Sequence, residues 1–247
     1  MKIKFPTIIA VRMGSSRLPG KTLKKFLDGE SMLDKIIKRI SQSEYTSKII
    51  IATTTNPEDD ELESYCKVNK IDIFRGSDTN VALRVMQAAN RFDSNYFYEV
   101  LGDNPFIDPK FFELLHNIYL TNDDLKYASF NTKEYNFNKE TEFPVGIRVQ
   151  LIKTDEMQKI QILNNDYFFE HATSFFYDKI NQNDYFLIEN KKWEIEMSNS
   201  NLAVNELSDF YTAGLLLNEI KTTDWEEVYY RFNFLKNYKS NFKDNLL

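Results

Sequence analysis

A single cysteine, Cys66, stands among the 247 residues, so no internal disulfide can form and no metal–thiolate or redox centre is implied. It falls on an expected helix just ahead of a strand and reads as a reduced, buried thiol. Basic charge is in deficit: 31 Lys and Arg against 37 Asp and Glu leave a net charge of −6. A surface that tracks nucleic acid or an anionic membrane is normally basic overall, so neither partner is expected. Local cationic clusters must then serve small anions. Long apolar runs are missing too. The one after Met1-Lys2-Ile3-Lys4 stops at Arg12, well short of the ~20 residues that cross a bilayer, and a cytoplasmic location is expected. No repeat, low-complexity linker or Pro/Gly-rich boundary divides the chain. With 42% hydrophobic residues it can bury a substantial core, and a single domain over 1–247 is expected.

Two familiar phosphate-binding spacings are also absent, the G-x-x-x-x-G-K-[ST] of a P-loop and the G-x-G-x-x-G of a dinucleotide fold. The chain has instead Arg12-Met13-Gly14-Ser15-Ser16-Arg17-Leu18-Pro19-Gly20-Lys21, directly after an apolar run over residues 5–11. A buried strand opening into a loop with two glycines, two hydroxyls and three cations suits a polyphosphate, and so a nucleotide. Gly14 is expected to take a positive φ at the strand exit and let the main chain approach an anion. Ser15 and Ser16 can donate hydroxyl hydrogen bonds to phosphate oxygens, and Pro19-Gly20 sets a turn that returns Lys21 to the same space. Arg12 and Arg17 offer forked donors to phosphate, while Lys21 is a compact charge for the leaving group.

The first half alternates strand and helix. Thr7-Ile8-Ile9-Ala10-Val11 and Ile49-Ile50-Ile51-Ala52-Thr53 read as strands, with Met32, Leu33, Ile36, Ile37 and Ile40 at helical spacing between them; this is a βαβ unit with a parallel sheet. Asn56-Pro57 reads as an N-cap with proline at the first helical position, and Glu58-Asp59-Asp60-Glu61 as helix-start electrostatics rather than a metal cluster. A third strand, Ile71 to Phe74, leads to Arg75-Gly76-Ser77 and a helix carrying Val81, Val85 and Ala89; a fourth, Tyr96 to Leu101, ends at Gly102-Asp103-Asn104-Pro105-Phe106-Ile107-Asp108-Pro109. Ligands of an open parallel sheet collect at the carboxyl ends of its strands, where all these polar loops lie. Asp103 is the expected Mg²⁺ ligand, because this ion is commonly held by few carboxylates plus substrate phosphates; an Asx-turn role is the alternative. Asp108 reads as an N-cap and His116, in the amphipathic stretch 111–119, as structural.

The loop at 12–21, the segment Ala52-Thr53-Thr54-Thr55-Asn56-Pro57-Glu58-Asp59-Asp60, Phe74-Arg75-Gly76-Ser77 with Arg84, and the segment from Gly102 to Pro109 together resemble the cytidylyltransferases of the spore-coat-polysaccharide type, relatives of the CMP-sialic acid and CMP-Kdo synthetases. The resemblance runs in order along nearly the whole chain. It implies an α/β fold of the nucleotide-diphospho-sugar transferase kind, a Rossmann-like, mostly parallel mixed sheet, with a small β-rich arm around 130–200 that serves the acceptor or pairs two subunits as a homodimer. By the same resemblance Arg12, Ser15, Arg17 and Lys21 hold the phosphates of CTP, the loop from Thr53 through Thr54 to Thr55 lines the base pocket, Gly76, Ser77 and Arg84 contact nucleotide, and Asp103 binds Mg²⁺. Phe143-Pro144-Val145-Gly146 is similar to the acceptor-side loop of the family, Glu170-His171-Ala172-Thr173 to its Glu-His-x-Thr segment, and Leu202-Ala203-Val204-Asn205 to its closing strand motif.

Three positions depart from that pattern. Asn205 stands where relatives carry the aspartate that is their second metal ligand, and Arg148 and Gln150 replace acids. An amide oxygen ligates Mg²⁺ without bringing charge, and Arg148 favours a more anionic acceptor. The expected reaction is in-line attack of an acceptor oxygen on the α-phosphorus of CTP with loss of pyrophosphate, driven by positioning and charge neutralisation. Acceptors expected from this are a nonulosonate or octulosonate sugar acid, or a small phosphonate. His171 either hydrogen-bonds the acceptor or orients a neighbour. A glycosyltransferase of the same fold would want Asp-x-Asp, which Gly102-Asp103-Asn104-Pro105 lacks; a nucleotide-binding homologue without turnover is the other alternative. Phe186, Leu187, Ile188, Trp193 and Ile195 alternate like a hairpin, for a partner subunit or a local core. Leu207, Phe210, Leu215, Leu216 and Ile220 suggest a helix packed on the sheet, and Trp225, Val228, Tyr229, Phe232 and Phe234 another, ahead of a polar tail from Lys236.

Overall fold

A computed structural model describes residues 3–134, 138–180, 182–192 and 194–244. Its centre is a seven-stranded sheet of order β3-β2-β1-β4-β6-β5-β7, formed by β1 (Phe5–Ala10), β2 (Thr46–Thr54), β3 (Asp72–Gly76), β4 (Tyr96–Leu101), β5 (Tyr127–Phe130), β6 (Val149–Lys153) and β7 (Tyr185–Ile188). The pairs β1/β2, β1/β4, β2/β3 and β5/β7 are parallel, whereas β6 is antiparallel to both β4 and β5. One reversed strand therefore sits inside an otherwise parallel sheet. Because β6 runs backwards, its amino end meets the carboxyl end of β4, with Val149 opposite Val100. The loop that precedes β6 thus joins the loops after β1 to β4 on one edge.

The helices cover both faces, as a buried parallel sheet requires. The first half supplies α1 (Met32–Ile40), a short 3₁₀ turn (Pro57–Asp59), α2 (Asp60–Asn69), α3 (Val81–Arg91) and α4 (Lys110–Leu120); the second supplies α5 (Thr154–Leu163), α6 (Asp166–Glu170), α7 (Ser174–Tyr177), α8 (Ile195–Asn199), α9 (Leu207–Glu219) and α10 (Trp225–Asp244). Alternation along the strands divides the core in two. Ile9, Ile51 and Val100 pack with residues of α1, α2, α4, α9 and α10, and Ile8, Ile50 and Phe97 with residues of α3, α5 and α7.

Local chemistry sets the element ends. Ser31 and Asp34 form a reciprocal capping box at the start of α1, satisfying two otherwise orphaned donors. Asp108 does more than the single N-cap expected of it: Oδ1 accepts from Lys110 N–H at the start of α4 and Oδ2 from Trp225 N–H at the start of α10. Cys66 is buried on α2, where burial pushes its thiol up to about 12. His116 is buried against Tyr98 as a structural residue.

Several expectations are corrected. Phe186, Leu187 and Ile188 form no hairpin; they lie in β7, the sheet edge parallel to β5, and Ile195 begins α8. Trp193 lies outside the described residues. The strand residues of the 130–200 stretch, the end of β5 with β6 and β7, belong to the central sheet, and the rest of its described residues carry short helices and loops. Residues 202–205 form an irregular segment joined to neighbours by single bonds, Leu202 N–H to Val145 O and Val204 N–H to Asp103 O, rather than a strand. On α9, Leu207 and Leu215 face outward while Phe210, Leu216 and the following Ile220 are buried. Phe234 is likewise exposed. Helix α10 continues to Asp244, through the tail expected from Lys236. Asn56 makes no side-chain cap bond.

Candidate active site

The loop after β1 is braced from within. Ser15 and Gly20 both donate main-chain N–H groups to Met13 O, and Thr22 Oγ1 donates to Arg12 O. Gly20 takes φ +71°, the turn that Pro19-Gly20 promised. Gly14 does not adopt the positive φ expected of it. What its missing side chain leaves is room beside Glu58: an added Cβ would lie 2.9 Å from Glu58 Oε2.

Asp59 stands at a helix start, as expected, but does more than that reading gives it: it is 1% exposed. Oδ1 accepts from Met13 N–H at 2.7 Å, and Oδ2 accepts from Thr53 Oγ1 at 2.8 Å, Thr54 N–H at 3.0 Å and Thr54 Oγ1. Burial alone would raise its pKa, but these bonds to the ionised form outweigh burial and hold it below the ordinary carboxylate value. Asp59 therefore ties the phosphate-type loop to the end of β2. It also engages the hydroxyls of Thr53 and Thr54, and Thr54 forms part of the wall of a small cleft with Arg12, Gly14 and Asn56. Arg75 completes the clamp, donating to Thr54 O and Asn56 O and pairing with Asp60 and Glu63.

Beside this clamp a cleft of about 320 Å³ is lined by Arg12, Ser15, Ser16, Arg17, Lys21, Arg84, Asp103, Glu170 and His171, among others. Most of the predicted residues thus come together. Arg12 Nη1 donates to Asp78 at 2.9 Å, Arg17 Nη2 to Asn205 Oδ1 at 2.7 Å, and Lys21 Nζ to Val204 O at 2.8 Å. Lys21 Nζ also lies 3.8 Å from Asp103 Oδ2. Burial lowers the Lys21 pKa, with Asp103 opposing that shift, and burial raises that of Asp103, with Lys21 opposing. Arg84 is 2% exposed, and desolvation and nearby Arg12 lower its pKa. Its Nη1 donates to Ser77 O, while its buried Nε has no partner. Gly76 lies against Arg84, where a Cβ would come within 3.2 Å of Arg84 Cγ, and Ser77 Oγ accepts from Asn80 N–H ahead of α3. A buried guanidinium with an unused donor on the cleft wall is a ready partner for an anion.

A second cavity of about 310 Å³ shares Val81, Leu101, Glu170 and His171 with the first and adds Glu99, Glu134, Arg148, Tyr167, Thr173, Ser174 and Tyr177. Arg148 is positioned by the reversed strand and by Gly146 just before it. Gly146 has φ +96°, and a Cβ there would lie 2.1 Å from Ala203 N, so no other residue lets Pro144-Val145-Gly146 pack on the 202–205 segment. Arg148 Nη1 pairs with Glu134 Oε2 at 2.6 Å and reaches Tyr177 Oη at 3.5 Å. Pro144 itself is not among the residues lining either cavity. Glu170 and His171, at the end of α6, are exposed on the rim.

Sequence reasoning missed Glu99. It stands in the middle of β4, 3% exposed, and accepts from Gln150 Nε2 at 3.0 Å. Burial pushes its pKa up to about 7 against the pull of Arg148 and Arg84. A glutamate inside Tyr96-Phe97-Tyr98-Glu99-Val100-Leu101 breaks an otherwise apolar and aromatic strand; that break was the available signal.

Among the described residues no group of three or more His, Cys, Asp or Glu could hold a metal ion. The donor set is one carboxylate, Asp103, with the Asn205 amide oxygen already accepting from Arg17. This fits Mg²⁺ that arrives on a polyphosphate and takes one protein carboxylate, and not a preformed all-protein cage.

Comparison with known proteins identifies the family. A family model described as cytidylyltransferase matches residues 7–210. The spore coat polysaccharide biosynthesis protein SpsF of Bacillus subtilis (strain 168) is 30% identical over 173 residues, 67% of each chain. A 3-deoxy-manno-octulosonate cytidylyltransferase of Alteromonas mediterranea is 31% identical over 105 residues, 42% of each. The structure of a cytidylyltransferase from Leptospira borgpetersenii serovar Hardjo-bovis superposes with a TM-score of 0.82 at 21% identity, covering 96% of both chains, which shows a shared fold. With the family model spanning most of its length and a phosphate-type loop at the carboxyl edge of a mostly parallel sheet, the chain belongs to the cytidylyltransferase family.

Proposed function

We propose that the protein transfers CMP from CTP to an acidic acceptor, a sugar acid or a small phosphonate, with release of pyrophosphate, in the making of a surface polysaccharide or glycoconjugate. The observation that carries this is the junction of two cavities: the cleft lined by Arg12, Arg17, Lys21, Arg84 and Asp103 shares four lining residues with the cavity that holds Arg148. A polyphosphate and an acceptor can therefore meet near Leu101, Glu170 and His171.

In this reading the cationic side chains spread the phosphate charge, and Lys21 neutralises the departing pyrophosphate. To reach phosphate, Arg17 and Lys21 exchange their present partners, Asn205 and Val204 O, for substrate oxygens. Thr54 and Gly14 shape the base end. No residue of the chain acts as a nucleophile, so rate comes from alignment of the acceptor oxygen with the α-phosphorus. Asp103, with phosphate oxygens and secondarily Asn205, would hold Mg²⁺, whose chemistry is to offset charge on the transferred phosphoryl group.

Pyrophosphate release measured with each of the four nucleoside triphosphates and Mg²⁺, against sugar acids and phosphonates, tests the reading. Release with CTP and one acceptor class is expected; release with another triphosphate alone overturns the cytidylyl assignment. A second reading, nucleotide binding without turnover, draws on the Arg17–Asn205 bond, which occupies an atom proposed for metal. CTP binding with no release from any acceptor selects it.

A further inference from the structure

The acceptor cavity carries more negative than positive groups. Its guanidinium, Arg148, is already paired with Glu134 at 2.6 Å, while Glu99 at the floor and Glu170 at the rim line the same space. Glu99 is 3% exposed on the rigid centre of the sheet, and one carboxyl oxygen accepts from Gln150 Nε2. Gln150 is itself fixed, its Oε1 accepting from Tyr127 Oη. The second carboxyl oxygen of Glu99 has no partner among the described residues and is left to the cavity. An acceptor that brought only an acid could take Arg148 from Glu134, but would then face uncompensated carboxyls in a confined space, where like charges repel strongly.

The geometry points to Glu99 as a specificity-determining residue that recognises a basic nitrogen on the acceptor, so that the substrate is zwitterionic, an amino-bearing acid in place of a plain one. This rests on the transferase reading of the same cavity and narrows its acceptor. The acid group of such a molecule pairs with Arg148, and its ammonium sits between Glu99 and Glu170. Specificity follows because a hydroxyl in place of the ammonium leaves buried charge unmatched. The titratable groups lining the cavity with Glu99 are Arg148 ahead of β6, Glu134 after β5, Tyr167, Glu170 and His171 on and at the end of α6, and Tyr177 from α7, with Arg84 from α3 also acting on it and Tyr127 behind Gln150. Since burial holds the Glu99 pKa near 7, an ammonium bound beside it favours the ionised form, and preference for the amine strengthens as pH rises through that value.

Calorimetric binding to the full chain at pH 6.0 and 8.0 tests this with two matched pairs of probes. They are 2-aminoethylphosphonate against 2-hydroxyethylphosphonate, and 9-amino-9-deoxy-N-acetylneuraminic acid against N-acetylneuraminic acid. In at least one pair the amine is expected to bind about tenfold tighter at pH 8.0, a factor sized to the loss of one buried charge pairing. The margin shrinks at pH 6.0 and collapses in Glu99→Gln. Glu170→Gln, at an exposed position that leaves the core intact, narrows it as well. Equal binding within both pairs, or a margin that Glu99→Gln and Glu170→Gln leave unchanged, overturns the proposal. Pyrophosphate release is scored separately: an amine preference without release from CTP refutes the transferase reading and leaves the recognition claim standing.

Discussion

At the residue scale the site depends on two buried or half-buried charges with opposite tasks. Lys21 is held by Val204 O and faces Asp103, so its ammonium is poised in the cleft with little freedom to be replaced. Lys21→Ala is expected to lower kcat/KM for CTP roughly 100-fold or more, the scale of losing one electrostatic stabiliser of a phosphoryl transition state. The thermal midpoint should stay near that of the parent, and an unchanged rate sinks the phosphate-loop assignment. Asp59 is the reverse case, a buried residue at the wall of the small cleft beside Thr54 that organises its neighbours. Asp59→Asn removes the charge on which Met13, Thr53 and Thr54 converge and turns an NH₂ toward donors. The expected cost is about 2–4 kcal/mol by urea unfolding, together with weaker CTP binding. Stability unaltered within error would show that the clamp is dispensable.

At the element scale the decisive piece is β6 and the loop leading into it. Gly146 at φ +96° lies so close to residue 203 that Gly146→Ala must push the two segments apart, with strain of about 1–3 kcal/mol. Because that loop carries Arg148, while the displaced 202–205 segment holds Lys21 through Val204 O and Arg17 through Asn205, the variant is expected to raise the KM for acceptor and for CTP together. Steady-state kinetics with each substrate varied in turn read this, and an unchanged value for either overturns it. Elements with strong local signals were legible without the fold. The run from Tyr96 to Leu101, aromatic and apolar but for Glu99, is β4 as observed, and the helical spacing from Met32 to Ile40 is α1 as observed. Short edge strands were not legible, since the four residues of β7 pair with β5, nearly sixty positions earlier. Nothing in Phe186-Leu187-Ile188 distinguishes that partner from a nearby hairpin strand. Helix α9 was found, but the outward turn of Leu207 and Leu215 was not, since hydrophobic residues on a helix do not declare which of two faces meets the core.

At the scale of the whole molecule, pH acts on the buried carboxylate at the sheet centre. The Glu99 pKa is raised from 4.5 to about 7 by burial, so the folded chain binds a proton there that the unfolded chain has released. Between those values the native state holds more protons, and stability falls as pH rises, the loss being complete above about 7. Asp59 works in the other sense: its lowered pKa contributes stability that is present above the unfolded carboxylate value and lost as pH falls through the folded one. Urea midpoints taken from pH 5 to pH 8 are expected to decline for the parent and to flatten in Glu99→Gln; parallel slopes for the two proteins contradict a raised Glu99. Contiguous residues and the periods of strand and helix were enough to place the cationic loop after β1, the βαβ order of the first half and the edge on which polar loops gather. That Asp59 is a buried tie, that β6 reverses and carries Arg148 to that edge, and that Glu99 lines the second cavity came only from the fold. Those roles depend on which distant segments share a neighbourhood and exclude water from it, and a local pattern carries no record of either.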